Sequence, residues 1–166
     1  MSSEFTHLQA RAYARQGWFV LPLKPKTKEP HFELIRNGFK SASTDLAMID
    51  FWFTVAPDAN YGISCAASGL VVLDIDFRNG GKRTAEMSDT YTVQTGNGLH
   101  LYYRAPASAQ LKGKLNNGVD VKHHGYVVAA PSIHPNGKTY TILNEMAPTV
   151  LPASLIAQLV KGRLVA

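Results

Sequence analysis

Asp74 and Asp76 stand one residue apart at the end of Leu70-Val-Val-Leu-Asp-Ile-Asp76, an apolar, β-branched stretch. It follows the turn-forming Ala67-Ser-Gly69 and reads as a strand buried on at least one face. Side chains alternate along a strand, so Leu73, Ile75 and Phe77 share one side while the two aspartates share the other, about 6–7 Å apart at Cα. Two like charges side by side repel unless a cation lies between them, and hard divalent ions such as Mg²⁺ take carboxylate oxygens. The competing reading of an isolated Asp-x-Asp is a strand whose outer face is wet.

The same division recurs twice. In Leu99-His-Leu-Tyr-Tyr-Arg104, Leu99, Leu101 and Tyr103 fall on one face and His100, Tyr102 and Arg104 on the other; in Val119-Asp-Val-Lys122, the valines oppose Asp120 and Lys122. If the three strands share a sheet, Asp74, Asp76, Asp120 and His100 converge on one surface. Three aspartates and a histidine suit phosphoryl or nucleotidyl transfer, where carboxylate-held divalent ions activate the attacking hydroxyl and neutralise the leaving pyrophosphate. The histidine would then hold the triphosphate. Taken singly, Asp120 also reads as a turn residue and His100 as a core or surface histidine. His123-His124 reads as an exposed turn before Gly125, and His134 belongs to a loop, in a structural or a substrate-contacting role. Cys65, the single cysteine, excludes an internal disulfide and a cysteine-based zinc site, and in an apolar strand it fits poorly as a nucleophile. The His-hydrophobic-His pair of replication-initiator nucleases is absent.

The elements that must position these residues follow from pattern. Residues 3–16 carry Phe5, Leu8 and Ala12 at helical spacing, with Ser2 or Ser3 as cap and Gly17 as stop. Trp18 to Leu23 reads as a strand near an edge, and Lys24-Pro-Lys-Thr-Lys-Glu-Pro30 as either a solvated loop or a cationic lip for phosphates. Thr44-Asp45 can cap a helix bearing Leu46, Ile49, Trp52 and Phe53, with Trp52 in the core. Asn60 to Ser64 is expected to hairpin into the central strand, and Lys82 to Met87 to form a brief helix. Gly96-Asn-Gly98 before His100 and Gly118 before Asp120 suit tight turns or close backbone approach. Tyr126 to Ala130 reads as a buried strand, Pro131 to Gly137 as a turn, Lys138 to Ile142 as the returning strand, and Ala153 to Val160 as a helix packed on the sheet.

Composition bounds these readings. A chain of 166 residues, 45% hydrophobic and 17% charged, predicts one globular domain over 1–166. Its net charge of +5 and pI near 9.4 favour an anionic partner, nucleic acid or nucleotide. No apolar run approaches a membrane span and no basic-then-apolar leader opens the sequence, so the expected location is cytoplasmic, with no membrane partner.

The series Lys28-Glu-Pro30, Ala59-Asn-Tyr-Gly-Ile63, Leu73-Asp-Ile-Asp76, Thr95-Gly-Asn-Gly-Leu-His100, Gly118-Val-Asp-Val-Lys122 and Ala130-Pro-Ser-Ile-His-Pro-Asn-Gly137 resembles the bifunctional primase-polymerase domain of phages and plasmids, in the archaeo-eukaryotic primase superfamily. The resemblance implies an α+β fold in which an α/β unit packs with an RRM-like unit of mainly antiparallel strands, and metal-dependent nucleotide addition to DNA. It implies Asp74, Asp76 and Asp120 as catalytic ligands of Mg²⁺ or Mn²⁺, and His100 as a contact to the phosphates of the incoming nucleotide. Lys122, Ser132 and His134 fall in matching positions for nucleotide binding. The implied partners are a DNA template and primer, nucleoside triphosphates and a helicase domain or protein. The second motif is Gly98-Leu-His100 where the wider superfamily has Ser-x-His, and neither a zinc-binding insertion nor a helical accessory part follows, which favours extension over initiation and leaves open that the chain is part of a larger replication protein. Two other classes use the same features: a metal-dependent nuclease or phosphohydrolase, with water as nucleophile, and a non-catalytic module binding single-stranded DNA by stacking on Tyr102 or Tyr61.

Overall fold

The computed structural model describes residues 3–107 and 110–161. In chain order the elements are α1 (Ser3–Arg15), β1 (Phe19–Leu23), a 3₁₀ turn (Gly38–Ser41), α2 (Leu46–Val55), β2 (Asn60–Ser64), β3 (Leu70–Asp76) and a second 3₁₀ turn (Phe77–Asn79). Then come β4 (Tyr91–Gln94), β5 (Gly98–Arg104), β6 (Lys114–Asn116), β7 (Val119–Lys122), β8 (Tyr126–Val128), β9 (Thr141–Asn144), β10 (Thr149–Val150) and α3 (Ala153–Leu159). This is an α+β arrangement with two sheets: an antiparallel β1-β2-β8, and β6-β7-β3-β5-β4-β9, antiparallel along its length, with β10 parallel to the end of β5. Among the described residues, no helix is long and apolar enough to cross a membrane.

The expected central strand is central. β3 pairs with β5 on one side and β7 on the other, and its two faces serve two cores. Val71, Leu73 and Ile75 face a core closed by Leu155 and Leu159 of α3. Leu70 and Val72 face the larger core shared with β1, β2, β8 and both N-terminal helices. The amphipathic C-terminal helix thus packs on the sheet as its pattern indicates.

Other expectations are corrected. α1 buries Ala10, Tyr13 and Ala14, while Phe5, Leu8 and Ala12 lie on its exposed side. Its rotation is set by α2: Arg11 Nη1 donates to both carboxylate oxygens of Asp50 at 2.6 Å, and His7 Nε2 meets Oδ1 at 2.6 Å. Arg11 first, then His7, hold that carboxyl below its usual range. The cap position Ser2 lies outside the described residues. For α2 the reading holds: Asp45 accepts from the Ala47 amide at 2.9 Å, and Ile49, Trp52 and Phe53 are buried.

β2 does not hairpin into β3. All five of its residues are buried and both its edges are taken, by β1 and β8, so the turn at 66–69 carries the chain from one sheet to the other. Lys82 to Met87 is not helical: the side chain of Met87 fills the α3-side core, and Arg83 takes the carbonyls of Met87 and Ser88 that a continuing helix would need. β3 ends at Asp76, which leaves Phe77 exposed in a 3₁₀ turn instead of extending the apolar face. The strand expected at 138–142 is shifted to β9 and pairs with β4, an element without a distinct pattern of its own, not with β8. Finally, Tyr61 and Tyr102 are 2% and 1% exposed, walled by Phe53 and by Trp18 and Tyr91, so neither is a stacking platform for bases.

Candidate active site

β3 carries the site because the cover on one face stops midway. Leu70, Val72, Asp74 and Asp76 share that face; the larger core covers the first two, and the strand emerges from it at Asp74. In the register of the sheet, Asp74 lies directly opposite both His100 on β5 and Asp120 on β7. Such opposed positions hold Cβ atoms about 4.5–5.5 Å apart. Two aspartates and a histidine distant in sequence are therefore neighbours across three adjacent strands.

Glycines let the backbones close on this point. Gly98 pairs with Asp76, and a Cβ there would fall 1.7 Å from the Ile75 carbonyl oxygen. Gly118, at φ +93°, accepts the Asp76 amide at 2.7 Å and presses on Gly81, where a Cβ would sit 2.1 Å from the Gly118 oxygen. The loop after β3 and the turn before β7 are thereby held together, with Asp76 beside the strand that bears Asp120.

The electrostatics are mixed by design of the strands. His100 Nε2 stands 3.5 Å from Asp74 Oδ1, with the histidine side chain 7% and the carboxylate 30% exposed. Burial works to raise the Asp74 pKa, but the His100 contact, with Lys122 and Lys28, outweighs it and holds the carboxyl below its usual range. Nδ1 of His100 is buried without a hydrogen-bond partner among the described residues, an orphan that a phosphate oxygen or water could satisfy. Asp76 is partly committed: its oxygens accept from the Arg78 amide at 3.0 Å and from Asn79 Nδ2 at 2.8 Å, capping the 3₁₀ turn.

These groups line a cleft of about 470 Å³, in which Asp74, Asp76 and Asp120 face Lys28, Arg78 and Lys114, with His100, His134 and Tyr140 completing the wall. Among the described residues no group of three His, Cys, Asp or Glu side chains stands ready to enclose an ion. The chemistry of the set nevertheless fits a hard divalent cation: paired carboxylates, no thiolate and an open cleft.

The remaining residues read from sequence separate. Lys122 lines an adjoining chamber that shares Lys28, Asp74, His100 and Tyr140 with the cleft. His134 reaches the cleft from the loop after β8; its Nδ1 accepts from the Asn136 amide at 3.0 Å, which leaves the proton on Nε2 as a donor. Burial, then Lys28, keep that imidazole below its ordinary pKa. Ser132 is not brought to the cleft: its hydroxyl is buried, accepting from the Tyr61 amide at 2.9 Å and donating to the Tyr61 carbonyl at 3.2 Å.

Four groups escaped the sequence reading, among them Arg78, which lines the cleft from the 3₁₀ turn after β3. Tyr140 lies beside His100 and His134, with ring centroids 6.1 and 5.8 Å away, but fell in Lys138 to Ile142, read only as the strand returning from a turn. Lys114 sits on the short β6, which no periodicity marks. Asn60 is buried; its Nδ2 donates to Thr27 O at 3.0 Å and Ile133 O at 2.7 Å, and its Oδ1 accepts from the Ile133 amide at 2.9 Å. One amide thus ties the loop bearing Lys28 to the loop bearing His134. Asn60→Ala is expected to cost about 1–3 kcal/mol, since it strands buried partners. It should also expose the Ile133 amide to fast hydrogen exchange, and unchanged melting and exchange would show the tie to be idle.

A family model described as bifunctional DNA primase/polymerase, N-terminal, matches residues 10–154, a span that contains every residue of the cleft. Among curated proteins none matches the chain significantly.

Proposed function

The chain belongs to the bifunctional DNA primase/polymerase family, and on that premise we propose that its cleft adds nucleotides to the end of a DNA primer on a template. The observation that carries this is the register that sets Asp74 between Asp120 and His100 on a face walled by cations. Residues 1–166 act as one catalytic domain of the archaeo-eukaryotic primase type, the β1-β2-β8 layer with α1 and α2 forming the α/β unit and the larger sheet the RRM-like unit.

Asp74 and Asp120, with Asp76 at the rim, would hold Mg²⁺ or Mn²⁺. Bound there, such ions stabilise the attacking hydroxyl and the leaving pyrophosphate. The triphosphate carries negative charge that Lys28, Arg78 and Lys114 can meet, while His100 and the Nε2 donor of His134 give directional hydrogen bonds. The primer's terminal hydroxyl gives its proton to solvent as its oxygen bonds to the α-phosphorus, and the bond from that phosphorus to the oxygen bridging to the β-phosphate breaks to release pyrophosphate. Lys122 stands off the triphosphate in the adjoining chamber, and Ser132 serves the loop rather than the nucleotide. A helicase partner fits a replication role.

Pyrophosphate release tests the reading. It should require a primed template, matched nucleoside triphosphates and a divalent cation together, and it should be much weaker on an unprimed strand. Release that ignores the template would refute template-directed synthesis, and shortening of end-labelled DNA without nucleotides would replace it with a nuclease.

A further inference from the structure

The chamber beside the cleft has a chemistry of its own. It measures about 350 Å³ and lies where β7 of the large sheet meets β8 of the small one. Among the described residues no acid lines it apart from Asp74 on the shared wall; Lys28 and Lys122 supply the charge, His124 an imidazole, and Phe39, Tyr126, Val127 and Val128 the apolar surface. Phe39 is 37% exposed at its mouth, its ring 6.5 Å from that of Tyr126. Tyr126 is fixed in turn, donating its hydroxyl to the Lys28 carbonyl at 2.5 Å. The connection bearing His124 is pinned by the Ala66 amide on His123 O at 3.0 Å and the Cys65 amide on Gly125 O at 2.9 Å.

An exposed ring also meets a lysine along the same segment: Lys24 Nζ lies 5.1 Å from the centroid of the exposed Phe32 and 3.7 Å from Glu29 Oε2, an exposed ion pair that a phosphate can replace. That segment runs along the free edge of the small sheet, bridged to β1 at Leu23–Pro30 and again at Val20–Ser43. Successive rings interleaved with cations suit successive bases and phosphates of a strand, whereas a lone nucleotide needs one of each.

We propose that this chamber and the Lys24–Ser41 edge form a track for single-stranded DNA, with one base stacked at Phe39 and Tyr126 and its phosphate at Lys122 and His124. Only the naming of that strand as the template rests on the polymerase reading. The bases next to the shared wall of Asp74, His100 and Tyr140 would then be presented to the cleft.

The test is fluorescence anisotropy of a labelled single-stranded oligodeoxythymidylate with the full chain in EDTA, so that neither metal nor catalysis enters. Phe39→Ala should weaken binding about tenfold, the loss of one base stack, and Phe39→Trp should retain it. Lys122→Gln should flatten the dependence of log affinity on log salt by about one unit. Unchanged affinity in Phe39→Ala, an unchanged salt slope in Lys122→Gln, or displacement of the oligonucleotide by a nucleoside triphosphate alone would each overturn the track. Phe39-dependent binding in a chain that proved unable to extend primers would support the track while removing the polymerase.

Discussion

Asp74→Ala is expected to reduce primer extension by on the order of a thousandfold or more, with at most a small loss of thermal stability. Among the described residues the side chain makes a single close polar contact, the 3.5 Å approach to His100, and it lies opposite a second carboxylate on β7. Removing it gives up the attraction of His100, Lys122 and Lys28 that keeps the carboxyl ionised, a small cost at a side chain 30% exposed, while any cation in the cleft loses the central one of its oxygen donors. Asp74→Asn, which keeps the shape and removes the charge, should be nearly as damaged. Extension assays with a melting curve on each variant check both halves. Wild-type extension in either variant would move the chemistry away from β3.

Gly98→Ala is expected to have the largest effect on the fold of any single methyl added at a glycine of the site. The new Cβ would meet the Ile75 carbonyl oxygen at 1.7 Å, a backbone atom that no rotamer can move. β5 must then part from β3 at the pair where Gly98 faces Asp76, two residues from the pair of His100 with Asp74. Overpacking of this kind costs about 3 kcal/mol or more, and in a chain of this length each kcal/mol lowers the melting temperature by roughly 2–4 °C. Activity should fall with it, because the register that unites the site is what gives way. Gly113→Ala is the control, since a Cβ there meets nothing within 4 Å. Equal melting temperatures for the two variants would contradict the close approach.

The residues of the cleft were legible wherever alternation along a strand decided them. Asp74, Asp76, His100 and Asp120 fall on the faces that a period of two assigns, and the glycines around them mark real backbone contacts. Long-range pairing was less legible. Nothing local told β2 to join β8 rather than β3, because β1 takes one of its edges and the other goes to a strand distant in sequence. Burial of polar faces was also hidden: Tyr102 shares its face with His100, yet Trp18 and Tyr91 close over it, and the Phe5-Leu8 spacing competed with a second helical stripe that Asp50 selects. Asn60 and Ser132 show the reverse case, polar residues in a motif whose hydrogen bonds serve loops rather than ligand.

The most direct measurement is extension of an end-labelled primer on a template, with nucleotides and Mg²⁺ or Mn²⁺, by the wild-type chain and Asp120→Ala side by side. The account predicts a lengthened primer with the wild-type chain, dependent on the divalent cation, and an unextended one with a folded Asp120→Ala. Equal extension by both would contradict it, as would a folded wild-type chain that leaves the primer unchanged under every cation.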